Sequence, residues 1–589
     1  MHRLRDTNEP SPEPDSRNFL PRIPVASALR ETLREGYGAR DFLADLAAGA
    51  VVGIIAIPLS MALAIACNVP PQHGLYTAIV AGIVIALSGG SRFQVSGPTA
   101  AFVVILAPIV SKYGFGGLVV STLMAGIILF ALGAFRLGRL IEFVPHPVTA
   151  GFTAGIGVVI ATIQLKDFFG LDVSHMPDSY GEKLAALFDA APGWSPPETL
   201  LAVGTLALLL LVPRITSRIP APLLVLPVSA VAAWLMNQRL GAGTVDTIAS
   251  RFHYTGPNGE LVAGIPHTLP PFMLPWNWPG ANGEPLQLDL VMLETLFPAA
   301  FAIALLGGIE SLLSAVVSDG MTGRKHDPDA ELMAQGTGNI VASFFGGFAA
   351  TGAIARTTAN IRFGARSPIA AAIHGVTVLL AMVLFASLLG YLPMASMAAL
   401  LMVVAWNMAD VRHFIHVARI APRSDIFVLL TCFALTVAFD MVVAVTAGMM
   451  LASMLFMRRM SEVSSVRLRD PESSNLPHDL PPGVLVYEIA GPLFFGAAEK
   501  AMSALREVGA DVRTVIFDFS QVPAMDVTGL INLDSAVRQL SGRGVRVLFA
   551  GIQSQPRRAL SRVDWSHGVT PPVICDTLHS AVEEVRSAA

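Results

Sequence analysis

The sequence predicts a polytopic α-helical membrane protein, with fourteen transmembrane segments arranged as 7+7 inverted repeats that contain two broken helices, followed by a soluble α/β domain. Three observations point there. Of 589 residues, 53% are hydrophobic and only 14% charged, against about 25% in soluble domains, and the mean hydropathy is +0.60. Apolar runs long enough to span a bilayer recur along most of the chain. At matching places in the two halves, Val95–Ala101 (VSGPTAA) and Thr351–Thr357 (TGAIART) each follow a hydrophobic helix and open a helical run too short to cross. That is how a helix broken at mid-membrane reads.

Residues 1–44 mix Arg, Asp, Glu and Pro and lack an apolar stretch followed by a small-residue cleavage site, so they read as a cytoplasmic segment and not as a signal peptide. The transmembrane domain is expected over 45–459. Its first repeat, 45–238, holds spans at roughly 45–67, 72–90, 98–111, 116–136, 147–167, 198–213 and 221–238. A polar, Pro- and Gly-rich outer loop, 239–289, follows. The second repeat, 293–457, holds spans at 293–318, 329–346, 353–362, 367–390, 392–409, 425–440 and 441–457. In both repeats the third span is short and opened by glycine. An odd number of spans inverts the second repeat relative to the first. Inner loops then carry Arg92, Arg136, Arg139, Arg214, Arg218, Arg324, Lys325, Arg366, Arg412, Arg419, Arg423, Arg458 and Arg459, while outer loops carry Lys112, Lys166, Lys183, Arg239 and Arg251. This positive-inside bias puts both termini in the cytoplasm of a multi-pass protein of the bacterial inner membrane.

Residues 460–482 read as a linker and 483–589 as a small α/β domain. Strands are expected at 483–489, 512–519 and 544–550, with helices near 497–508, 527–541, 555–562 and 577–587. Net charge is −4 and no basic stripe appears, which argues against nucleic acid as a partner. Cys67, Cys432 and Cys575 lie far apart with no metal spacing, and His146, His413 and His416 have no metal-ligand partner at helical spacing. No Walker loop or hydrolase signature occurs. No enzyme activity, cofactor or metal is therefore expected.

Two helix amino ends facing each other make an anion site, because their first-turn N–H groups are unpaired and carry partial positive charge. Ser96, Thr99 and Ala100 line the first break; Gly352, Ala353, Ile354 and Arg356 line the second. Arg356 can neutralise an oxyanion with a planar, permanently charged fork; pairing with Glu310 is the alternative. Glu310, deep in a long apolar run, needs a proton, a cation or a donor, and Ser314 lies one turn on, able to share its ligand. A proton is the expected coupling ion, with sodium the alternative.

From about residue 25 onward the chain resembles the sulfate permease (SulP) family of anion transporters. The motifs are PQHGLY at Pro71–Tyr76, GGSRFQVSGPTA at Gly89–Ala100, Ile309–Leu313, Asp319–Thr322 and Gly338–Asn339. The carboxyl domain resembles a STAS domain through Met525–Gly529. Within the family, the resemblance runs to a bacterial carrier of C4-dicarboxylic acids through Gly90–Phe93, Arg139–Glu142, Phe252–Tyr254, Ala398–Leu401 and Val404–Met408. It implies a core and a gate, alternating access in a homodimer, a small anionic substrate held between the broken helices, and a cytoplasmic protein partner for the STAS domain. It also implies contacts at Thr99, Glu310, Ser314, Gly352, Ala353, Ile354 and Arg356. Two positions depart from many relatives: Leu59 stands for glutamine and Ile354 for a hydroxyl residue. Both make the pocket less polar, which fits a carboxylate on a carbon skeleton. In the STAS domain, the serine phosphorylated in related anti-sigma-factor antagonists falls at Val527, which leaves Thr528 as the nearest hydroxyl. Proton-coupled C4-dicarboxylate symport is thus the leading expectation. The rivals are sulfate transport, sodium-coupled bicarbonate transport, and a non-transporting sensor that signals through STAS.

Overall fold

The computed structural model describes residues 25–588 apart from 142–143, 174–175, 178, 217–218, 257–258, 440, 464, 469–479, 495–510 and 564–569. The chain divides into two units at Met449/Met450. In the first, the expected spans appear as α2 (Ala39–Ala66), α3 (Pro71–Ser88), α4 (Val103–Ala134), α5 (His146–Phe169), α7 (Pro196–Ile215) and α8 (Ala221–Leu240). The second repeat supplies α9 (Leu290–Thr322), α10 (Pro328–Ser343), α11 (Ile354–Arg362), α12 (Pro368–Gly390), α13 (Met394–Ala409), α15 (Arg423–Ala438) and α16 (Met441–Val463). The first span begins at Ala39, ahead of the expected 45, because Asp41 and Asp45 are both satisfied: Asp41 takes the Gly38 N–H, and buried Asp45 takes the Arg366 and Ser367 N–H groups from the other half of the chain.

α4 contains two expected spans in one run. It turns at Gly114, whose backbone (φ 71, ψ −174) is a conformation essentially restricted to glycine. The kink also receives the outer loop, since Gly116 N–H donates to Pro279 O at 2.7 Å and a β-carbon on Gly114 would sit 2.3 Å from Gly280 C. Gly114→Ala is therefore expected to cost about 3 kcal/mol, read as a lowered thermal midpoint of the purified protein with the outer loop more open to protease. An unchanged midpoint would show that the kink bears no strain.

Packing interlocks the halves. α2 lies on α12, α3 on α12 and α10, and α4 on α10 and α9, forming one set of helices. α5 packs on α13 and α15, and α7 on α13 and α8, forming another. Lipid-facing apolar side chains stay exposed on α7 and α8, among them Leu200, Leu210, Val228, Val231 and Trp234, as they must where the solvent is hydrocarbon.

Among the short helices additional to the sequence reading are α1 (Ser27–Glu35), α6 (Tyr180–Ala190) and α14 (Val411–Ile420). In the outer loop, β2 (His253–Thr255) and β3 (Leu261–Ala263) form an antiparallel hairpin. α1 is clasped by Glu35, which accepts from Arg92 at 2.7 Å and Arg324 at 2.8 Å. Arg92, then Arg324, hold the Glu35 carboxyl down to about 2. This clasp is complete above the ordinary value of 4.5 and is lost as pH falls through about 2.

The second unit carries a five-stranded sheet in the order β5 (Ser465–Leu468), β6 (Val484–Ala490), β7 (Thr514–Gln521), β8 (Arg546–Ala550) and β9 (Val573–Cys575). Neighbours from β6 to β9 are parallel. Alternation along the strands feeds two cores. Tyr487, Phe517 and Phe549 pack with Leu533 and Val537 of α17 (Val527–Gly542), while Val486, Ile516 and Leu548 pack with Val582 and Val585 of α19 (Leu578–Ala588). Between them in sequence runs α18 (Ser554–Leu560). The expected linker 460–482 is corrected here: its Ser465–Leu468 stretch pairs antiparallel with β6, because the Ser-Val-Arg-Leu alternation extends the sheet edge. The helix expected near 497–508 lies outside the described residues.

Candidate anion site between two broken helices

Both breaks are built the same way. An extended dipeptide precedes each helix amino end, β1 (Ser96–Gly97) before α4 and β4 (Thr351–Gly352) before α11, and the two pair antiparallel with Ser96 opposite Gly352. The ribbon brings two helix amino ends together at mid-bundle. Further bonds close it: Ala353 N–H donates to Val95 O (2.9 Å), Val95 N–H to Thr357 Oγ1 (3.1 Å), Asn360 Nδ2 to Phe93 O (2.9 Å) and Thr351 Oγ1 to Gly307 O (2.7 Å). Gly352 is required by close approach, since its β-carbon would meet Gln94 Nε2 at 2.3 Å.

Of the sequence-predicted residues, Thr99, Glu310, Ala353 and Ile354 reach open space, Ile354 being 44% exposed. Ser96, Ala100, Gly352, Arg356 and Ser314 are buried behind them. Thr99 Oγ1 donates to Glu310 Oε2 at 3.0 Å, so a carboxylate of the second repeat meets a hydroxyl of the first. Among the described residues no cation lies within salt-bridge distance of Glu310; the Arg356 pairing considered from sequence does not form. Arg356, 3% exposed, lies against Gly97 and donates from Nη2 to Pro98 O, while its Nε and Nη1 have no partner. Ser314 Oγ bonds to Thr357 Oγ1 at 3.1 Å instead of sharing a ligand with Glu310. The helical spacing was right. The hydroxyl turns toward α11, where Thr357 Oγ1 is its partner.

Behind the ribbon stands a polar set whose centre, Glu331 with Gln335, the sequence reading did not single out. Glu331, 1% exposed in the first turn of α10, accepts from Gly90 N–H and Ser91 N–H (each 3.1 Å), Gln94 Nε2 (2.9 Å), Gln335 Nε2 (2.9 Å) and Ser311 Oγ (3.3 Å). Gln335 Nε2 also donates to Ser96 Oγ (3.0 Å) and Gln94 Nε2 to Ser311 Oγ (2.7 Å). Asn339 clamps Ala350, donating to its carbonyl (2.9 Å) and accepting its N–H (2.7 Å). The signal was present: Glu331, Gln335 and Asn339 recur every fourth residue, one polar stripe on a buried helix. This stripe fixes both breaks in place. The arrangement can hold an anion against unpaired N–H groups and a buried guanidinium, with a carboxyl group at its mouth.

A carrier of small anions is the class of protein that this fold and site define, and known proteins agree. The chain belongs to the sulfate permease family, which matches residues 42–432, and a STAS domain matches residues 477–581. It is 40% identical over 536 residues, covering 91% of this chain and 96% of the relative, to a putative sulfate transporter, YvdB, of Bacillus subtilis. The bicarbonate transporter BicA of Picosynechococcus is 28% identical, with 93% and 95% covered. Among solved structures, murine Slc26a9, an anion transporter captured inward-facing, superimposes with a TM-score of 0.80 at 19% identity over 96% of this chain and 94% of its own. The transmembrane domain of a cyanobacterial BicA gives 0.59 at 26% identity over 69% and 98%. The chain is a multi-pass anion transporter of a family with bacterial members, and its fourteen-span inverted-repeat fold with a STAS domain is the one expected from sequence.

Proposed function

We propose that this transporter is a proton-coupled symporter of C4-dicarboxylates such as succinate, fumarate and aspartate, working by alternating access as a homodimer in the bacterial inner membrane with both termini cytoplasmic. The observation that carries the coupling is the Thr99–Glu310 contact. Glu310 sits at the open mouth with a hydroxyl for its partner, so a proton bound there removes a negative charge facing an incoming anion. Substrate carboxylates would lie on the N–H groups at Ala100 and Ile354, with Arg356 as counter-charge. Exposed Ile354 and half-buried Leu59 supply an apolar wall for a carbon skeleton. The resemblance of Gly90–Phe93 and Arg139–Glu142 to a bacterial carrier of C4-dicarboxylic acids supports the same class. A second reading, sulfate or sodium-coupled bicarbonate transport, is favoured by what the relatives named above are said to carry.

Proteoliposomes decide between them. Labelled succinate should accumulate under an inward proton gradient and not under a sodium gradient alone, and should outcompete sulfate and bicarbonate. Sodium-driven bicarbonate uptake, or sulfate uptake indifferent to succinate, would replace the proposal with the second reading. Glu310→Gln keeps the size and some hydrogen bonds of the protonated acid but cannot release a proton. It should retain substrate exchange within a few-fold while losing gradient-driven accumulation at least tenfold. Undiminished accumulation would remove Glu310 from coupling.

A further inference from the structure

His146 and His413 are far apart in sequence and come face to face in space. His146 opens α5 directly after Pro145, and His413 lies in the first turn of α14. What brings them together is the turn at Asp410, held in the left-handed region (φ 33, ψ 59), which ends α13 and starts α14. Few residues other than glycine tolerate that conformation, and aspartate is one of them. Its carboxylate then caps α14 by accepting the His413 N–H at 3.2 Å. α13 packs along α5, so the reversal at Asp410 sets the first turn of α14 against the start of α5. Both imidazoles are exposed.

The geometry of the pair fits either a hydrogen bond between the rings or a shared cation. The two Nε2 atoms are 3.4 Å apart, the ring centroids 5.1 Å and the planes 74° apart. With metal–nitrogen bonds of about 2.05 Å, two nitrogens at that separation subtend about 112° at a shared ion, close to the tetrahedral angle. Rings whose lone pairs converge on such an ion have centroids about 5.3 Å apart, whereas a head-on N–H···N hydrogen bond at the same nitrogen separation puts them about 5.7 Å apart. The observed centroid distance, 5.1 Å, is shorter than both and nearer the chelating value.

We infer that His146 and His413 form a binding site for a borderline transition-metal cation such as zinc, which ties the α13–α14 turn to the start of α5. Two imidazoles and no carboxylate select zinc, copper or nickel over magnesium and calcium, which require oxygen ligands. Among the described residues no cluster of three or more His, Cys, Asp or Glu completes the set. Water fills the remaining positions, and the ion exchanges with solution.

Cobalt(II) is the probe, because it takes zinc's place and absorbs visibly when tetrahedral. Full-length protein purified through a tag without histidine should show one saturable visible band that zinc displaces. The band should be lost, with at least tenfold weaker zinc binding, in His146→Ala and in His413→Ala, and kept in His416→Ala. Zinc should also slow amide exchange across residues 410–416 in the parent and not in the variants. If an alanine variant elutes as aggregate, glutamine at the same position, which keeps a polar head, is measured in its place. Absence of a saturable band in the parent, or a band that survives both replacements, overturns the site and leaves the pair as a simple hydrogen bond.

Discussion

Arg356→Ala is expected to lose substrate binding by a hundredfold or more while leaving the substrate-free protein at least as thermally stable as the parent. The two halves of that result come from the same observation. Arg356 is 3% exposed and, among the described residues, only one of its five N–H donors is bonded, from Nη2 to the Pro98 carbonyl, so four-fifths of its donor capacity has no protein partner. A guanidinium held this way is desolvated without full compensation, and removing it relieves that cost. Bound anion reverses the balance. Without its counter-charge, a desolvated carboxylate loses about 3 kcal/mol, roughly 150-fold in affinity. Lysine should recover only part, because it offers a point charge where the site is shaped for a fork. The measurement is a thermal-shift titration with succinate: the parent midpoint rises with ligand, and the Arg356→Ala midpoint stays flat from an equal or higher start. A ligand-dependent rise of normal size in the variant would take Arg356 out of the anion site.

What the sequence revealed and what it hid follow from the range of the interactions involved. Span positions were legible because burial in hydrocarbon imposes a composition on every residue of a run, and the breaks at Ser96–Gly97 and Thr351–Gly352 were legible because only short glycine-marked segments open a helix at that depth. Placement of the breaks against each other was not, since the Ser96–Gly352 pairing joins residues from opposite halves. Ser314 shows the same limit on a smaller scale. Periodicity correctly put it on the Glu310 face, yet its bond goes to Thr357, a partner visible only once α11 is folded back. Glu331 was passed over for a different reason. An acid in the first turn of a helix reads as a complement to the helix dipole at the membrane surface; that its carboxylate turns inward to five donors depends on the backbone of Gly90 and Ser91, some 240 residues away.

Glu331→Ala should be the most destructive single replacement in the transmembrane unit, costing about 3–5 kcal/mol, the size of effect seen when one member of a buried charged network is removed. The loss falls unevenly on its five donors. Gln94 keeps the Ser311 hydroxyl as acceptor and Gln335 keeps Ser96, but the Gly90 and Ser91 N–H groups and the Ser311 proton are left without one, at about 1–3 kcal/mol each before water enters. These groups anchor the segment leading into β1, so the first break should loosen and transport should fail together with stability. Glu331→Gln tests whether bonding or charge is at stake. Its amide oxygen can still take the two backbone N–H groups, and its NH2 can donate to the Gln94 and Gln335 carbonyl oxygens, both unpaired in the parent, once those side chains flip their amides. The glutamine variant should therefore unfold within a few degrees of the parent, while the alanine variant unfolds far below it or fails to purify. Thermal denaturation of the three proteins in one detergent checks this: alanine as stable as the parent would show that the carboxyl group holds nothing together, and glutamine as unstable as alanine would show that the anchor depends on the negative charge itself.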